Sequence, residues 1–181
     1  MKCFNRVNQK INNENKNMEV YHGSLEIVAN PEIRLPKRTL DYGAGFYTTT
    51  DYNQARDWVS RHNKKVQVGY VNVYEIDIDA VRQANTLWFD KPTYEWIDFV
   101  DGNRNTPGFS HNYDFVYGPV ANDRVYAAFA LYESGLLNKQ ELLTMLKVYD
   151  LVDLLLLHTP EALKLLNFKE SHKIDLTCNS K

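Results

Sequence analysis

Two periods of apolar residues alternate along the chain, and the changes between them mark its elements. The clearest strand is VQVGYVNVYEIDI, Val66 to Ile78. Alternation puts Val66, Val68, Tyr70, Asn72, Tyr74 and Ile76 on one side and Val71 and Val73 on the other. Apolar residues on both faces predict an interior strand. Leu151 to His158 reads as a buried strand, Phe115-Val116-Tyr117 as one ending at Gly118-Pro119, and Leu87-Trp88-Phe89 as a shorter one. Met18 to Tyr21 predicts the strand that enters the domain, with His22-Gly23-Ser24 at its end. Thr48 to Thr50 suit a further short strand.

A helical period governs the other segments. Asp51 caps a helix to about His62, with Ala55, Trp58 and Val59 facing inward. Pro92 opens a second, in which Trp96, Ile97 and Val100 are buried and Gly102 is the stop. Asn122 or Asp123 caps a third, striped by Val125, Phe129 and Tyr132 and ended by Gly135. Asn138 starts a fourth, NKQELLTMLKVY. Thr159 caps and Pro160 opens a last one, TPEALKLLNF. Leu25 to Arg38 carries Pro31 and Pro36 and reads as an irregular loop. The Asn- and Lys-rich residues 1–17 read as a disordered leader and 171–181 as a polar tail. Residues 18–170 form one α+β domain of mixed strands and peripheral helices.

Composition narrows the function classes. A net charge of −2 gives no overall field toward nucleic acid or an acidic membrane. Cys3 and Cys178 lie in the tails, so neither a disulfide framework nor metal-ligand spacing is present, and no metal is expected. No signal peptide or membrane-length apolar run stands out, and a cytoplasmic home follows.

The least ordinary stretch is DYGAGFYTTT, Asp41 to Thr50. Gly43 and Gly45 permit a tight turn or close approach to a ligand. Phe46 and Tyr47 follow at once, then a capped helix: a floor and wall for a flat ligand, or a Gly-rich turn with Tyr47 in the core. Gly43-x-Gly45 is no dinucleotide fingerprint, because the third glycine is missing. Some twenty residues earlier, Gly23 would let a ligand reach one main-chain donor and one acceptor, the pair that a carboxamide needs. Ser24 adds a hydroxyl, His22 can bond a ribose hydroxyl, and Tyr47 can stack on a ring.

Tyr21-His22-Gly23-Ser24 followed by Gly43-Ala44-Gly45-Phe46-Tyr47-Thr48-Thr49 resembles the first two motifs of the ADP-ribosyltransferase superfamily. From Val20 to about Lys169 the chain resembles more closely a bacterial family placed within that superfamily. Trp96 to Arg104, Tyr113 to Asp123 and His158 to Leu163 supply its later blocks in order. The resemblance implies a fold of split mixed or antiparallel sheets with peripheral helices. It implies NAD⁺ as co-substrate, nicotinamide on Tyr47, its amide on the Gly23 backbone, and His22 on the adenosine-side ribose. It also implies a toxin acting on a protein or nucleic acid, with a small antitoxin or immunity protein as partner.

The third motif of the superfamily, most often Glu, opens the late strand, and the nearer family leads one to expect Asp-Gln. Here the sequence is Val152-Asp153-Leu154. Leu154 then stands at the catalytic position without a polar group. Asp153 is the nearest replacement, but alternation turns it to the opposite face unless a bulge intervenes. Asp123 is a competing acid, or simply a helix cap. Arg104 can meet a pyrophosphate through its guanidinium fork or pair with an acid; Arg34 and Arg38 are weaker candidates of that kind. Tyr42, Phe46, Trp58 and Trp96 read as core rather than cofactor box, and His158 as structural. Three functions follow: a transferase, a catalytically silent NAD⁺- or partner-binding member, and an NAD⁺ glycohydrolase with water as acceptor.

Overall fold

The computed structural model describes residues 16–34, 39–62, 68–119, 123–149 and 151–176. Nearly all of the expected leader lies outside these residues, as do Cys3, Arg38, Val66, Asn122 and Cys178. Among the described residues, seven strands form one mixed sheet: β1 (Asn17–Ser24), β2 (Phe46–Thr49), β3 (Val68–Asp77), β4 (Thr86–Trp88), β5 (Phe115–Pro119), β6 (Asp153–Leu157) and β7 (Asn167–Asp175). Their spatial order is β4-β5-β6-β2-β1-β3-β7, antiparallel throughout except for the β4/β5 pair. The helices are α1 (Tyr52–His62), α2 (Ile78–Gln83), α3 (Tyr94–Asn105), α4 (Asp123–Glu133), α5 (Lys139–Leu146) and α6 (Pro160–Leu163).

Two cores lie on opposite faces of the sheet. On the front, Leu154, Leu156 and Val116 pack under α3, α4 and α5 with Trp96, Val100, Phe129 and Leu142. On the back, Val20, Phe46, Tyr74, Leu155 and Leu157 pack with Val81 of α2 and Ala162 of α6. The run of four leucines in β6 therefore feeds both cores, as an interior strand must. β3 is likewise interior, between β1 and β7, and Val71, Val73, Tyr74 and Ile76 are buried.

Several boundaries differ from the sequence reading, each for a local reason. Trp58 is 46% exposed while Ala55 and Val59 are buried. α1 sits so close to the sheet that a Cβ on Gly69 would collide with Val59, and a Cβ on Gly23 with the Ala55 carbonyl oxygen. That seat is too narrow for an indole. The cap of α3 is Thr93, whose hydroxyl accepts from Trp96 N at 3.2 Å, so Pro92 precedes the helix. Gly102 lies within α3, which continues to Asn105. Asp77 caps the unforeseen α2 by accepting from Asp79 N and Ala80 N. The last helix ends at Leu163, and Asn167 to Asp175 of the expected helix end and tail form the edge strand β7. Its sequence NFKESHKID shows no apolar alternation, because an edge strand carries charge on its exposed side.

The seat of α1 gives a direct test. Gly23→Ala is expected to cost about 1–3 kcal/mol by overpacking against a backbone carbonyl that cannot rotate away. Urea unfolding of the variant would measure it, and an unchanged midpoint would show that α1 can shift.

Candidate functional site at the strand junction

The sheet is weakest at its middle. Among the described residues, β1 meets β2 in register only at Tyr21 and Thr49. Continuing that register would pair Gly23 with Tyr47. Instead the His22 imidazole takes up the Tyr47 carbonyl, its Nδ1–H donating at 2.8 Å.

Hydrogen-bond phase then fixes where the main chain points. Thr50 N donates to the Asp153 carbonyl at 3.1 Å, so Thr50, and Thr48 by alternation, turn toward β6. Tyr47 and Thr49 turn toward β1. On β1 the residues that face β2 are Tyr21 and, two further on, Gly23. Gly23 N–H and C=O are therefore aimed into the junction where the ladder has stopped.

Side-chain alternation sorts the expected site residues between the two faces. Tyr21 pairs with Thr49 and Thr49 with Leu154, so all three project to the front, with Tyr47. The Tyr47 ring is half-buried against the front core, and its hydroxyl donates to the Gly43 carbonyl at 2.8 Å. His22 and Phe46 project to the back, with ring centroids 4.4 Å apart. Burial lowers the His22 pKa, against the pull of the Tyr47 carbonyl, and Arg34 lowers it further. A neutral ring with its proton on Nδ1 leaves Nε2 as an acceptor for a hydroxyl. The Ser24 hydroxyl at the strand end accepts from Glu26 N at 3.2 Å.

Asp153 projects to the back, its carboxylate accepting from the Tyr117 hydroxyl at 2.7 Å. The pairings of β6 with β2 and β5 run without a register shift, so no bulge turns it toward Tyr47. Leu154 is on the Tyr47 side but is 8% exposed and packed in the front core. Asp123 is the first residue of α4. Arg104 takes the second of its two sequence readings. Its Nε donates to Asp41 Oδ1 at 2.8 Å, and its guanidinium lies over Tyr126 and Phe129 at 4.4 and 4.6 Å. The guanidinium is thus paired with a buried acid through Nε.

The glycine turn is likewise occupied by protein. Gly43 has φ of 78° and closes a turn by donating to the Leu40 carbonyl at 3.1 Å. A Cβ on Gly45 would lie 3.0 Å from His158 Nδ1, which donates to the Ala44 carbonyl at 2.6 Å. Gly45 thus faces the His158 ring and not the junction. Tyr42 is core as expected: its hydroxyl donates to the Pro119 carbonyl and accepts from Trp96 Nε1 at 2.6 Å.

A family described as "Protein of unknown function (DUF3990)" matches residues 18–168, from β1 into β7. The chain belongs to that family. A comparison with curated proteins gave no match. The matched span of this family member takes in the whole junction and both cores.

Two residues of the junction went unread in the sequence. Asn72 is fully buried on β3; its Oδ1 accepts from Val28 N at 2.9 Å and its Nδ2 donates to the carbonyls of His22 and Glu26. It ties the loop after β1 to the strand. A lone amide among alternating apolar residues was the available signal. Gln54 is the second, and its amide meets the Thr49 hydroxyl. Among the described residues no helix is long and apolar enough to cross a membrane, and no cluster of three or more metal-ligating side chains forms.

Proposed function

We propose that this protein is an NAD⁺-dependent ADP-ribosyltransferase working at the β1/β2 junction. The observation that carries the reading is the Gly23 main chain, which offers one donor and one acceptor where the ladder stops. A carboxamide needs that pair in that arrangement. Tyr47 stands across the same gap with its ring on the front face. His22 presents Nε2 to a ribose hydroxyl.

The roles follow from these positions. Gly23 holds the nicotinamide amide and Tyr47 supports the ring. Transfer breaks the C1′–N bond; its electron pair stays on the nicotinamide nitrogen, and the acceptor atom bonds to C1′ and releases its proton. Positive charge grows on the ribose as in glycoside cleavage, so a polar group beside the 2′-hydroxyl lowers the barrier. Resemblance alone supports the wider setting: a toxin that modifies a protein or nucleic acid and is restrained by a small protein partner.

Buried Leu154 favours a second reading, a catalytically silent member that still binds NAD⁺. The deciding measurement is nicotinamide release by the protein, by Tyr47→Ala and by Leu154→Gln, with and without candidate acceptors. The expected result is release by the protein as it stands, with NAD⁺ affinity about tenfold weaker in Tyr47→Ala, the worth of one aromatic stack. Release without any acceptor identifies water as the acceptor. Release by Leu154→Gln alone establishes the silent reading, and absence of NAD⁺ binding defeats both.

A further inference from the structure

The resemblance puts Leu154 where the ribose 2′-hydroxyl would be held, and a polar group stands beside it. Thr49 is the register partner of Leu154 on one side and of Tyr21 on the other. Its hydroxyl therefore rises from the front face between them. That hydroxyl shares its proton between Gln54 Oε1 and, at 3.2 Å, the Asp153 carbonyl, and it accepts from Asp51 N at 3.1 Å. Gln54 N in turn donates to Asp51 Oδ1 at 2.8 Å. Gln54, in the first turn of α1, is thus held at its main chain by the helix cap and at its side chain by the strand.

We propose that Gln54 supplies the amide that position 154 lacks, binding the nicotinamide-ribose 2′-hydroxyl through Nε2. The inference rests on the NAD⁺ reading above. With Oε1 taken by Thr49, the amide presents Nε2, a donor suited to a hydroxyl oxygen. Its place along the sheet fits. The row Tyr21–Thr49–Leu154 lies two residues, about 7 Å, along the strands from Gly23 and Tyr47. Both rows share the front face, so a ring at Tyr47 and a ribose at the Thr49–Gln54 corner lie one such step apart. The Asp51 carboxylate, which caps α1 there, puts negative charge in the corner where positive charge would develop. Leu154 then serves packing in the front core, which a buried glutamine would serve less well.

The test uses the full chain with NAD⁺ as probe and reads both affinity and nicotinamide release. Gln54→Ala is expected to lower kcat about 100-fold, the usual loss for a transition-state donor, with NAD⁺ affinity little changed. Adding Leu154→Gln to Gln54→Ala is expected to restore most of the rate, because it returns an amide to the same row. A merely structural role for Gln54 predicts no such rescue. Wild-type turnover in Gln54→Ala, or failure of the second substitution to rescue, overturns the proposal. Turnover by Leu154→Gln but not by the wild type also overturns it, while leaving the NAD⁺ reading intact. Loss of NAD⁺ binding from every form means that the NAD⁺ reading itself has failed.

Discussion

Arg104→Ala is expected to destabilise the fold by about 3–5 kcal/mol, the usual cost of breaking a buried ion pair by removing one member. Arg104 and Asp41 side chains are 9% and 7% exposed, and the guanidinium is roofed by two aromatic rings. Glu133 approaches at 3.7 Å from the end of α4. Removing the arginine takes from the buried Asp41 carboxylate the guanidinium whose Nε donates to it at 2.8 Å. For a chain of this length the loss corresponds to roughly 10 °C in Tm. Asp41→Asn placed on Arg104→Met should recover part of it, since a neutral amide and an apolar stem suit the buried site better than a carboxylate that has lost its guanidinium. Urea unfolding of the two single variants and the double variant measures the coupling. The same variants decide between the two sequence readings of Arg104. If Arg104→Ala folds with full stability and loses NAD⁺ affinity, the fork meets pyrophosphate and the structural role is wrong.

How far the sequence carried the fold depends on where each element is buried. β6 and β3 were legible because both faces of each strand are apolar, and α5 because Asn138 and Glu141 form a capping box around it. β7 was not, since an edge strand needs charge rather than alternation. α2 was too short for a period to register, and only the Asp77 cap marks it. Trp58 misled because the helical period says which residues are adjacent on the helix, not how wide the seat is. Gly23 and Gly69 set that width, and their effect appears only once α1 is docked.

The junction divides in the same way. His22, Gly23 and Tyr47 were legible as a group because each has a distinctive chemistry within a short motif. Their arrangement was not, since it follows from the interruption of the β1/β2 ladder and from hydrogen-bond phase. Asp153 and Leu154 were legible as a pair on opposite faces from alternation alone, and the unshifted register of β6 keeps them so. Gln54 escaped because its place against Thr49 comes from α1 following β2.

Acidification is expected to weaken the fold between pH 7 and pH 4 by about 3 kcal/mol through His158 alone. Burial lowers its pKa to about 4, opposed by the bond that its Nδ1–H gives to Ala44 and assisted by His111. The two rings meet edge to face at 4.5 Å, so protonating both would set two cations in contact. Above the ordinary histidine pKa of about 6.5 neither the folded nor the unfolded chain carries the proton. As pH falls from there to about 4, the unfolded chain takes up a proton that the folded one refuses, and stability drains away. Below about 4 both states are protonated and this loss levels off. Burial shifts His22 and His111 in the same direction, so each adds to the slope. His158→Asn separates its share, since an asparagine amide can still donate to Ala44 but does not titrate. Unfolding free energies at pH 7, 6, 5 and 4 should fall less steeply in that variant, by the His158 contribution. Parallel curves would mean that the acid sensitivity originates elsewhere. Because His158 holds the Ala44 carbonyl in the Gly43–Gly45 turn, and Tyr47 lies two residues beyond that turn, acid should loosen the junction before it unfolds the sheet.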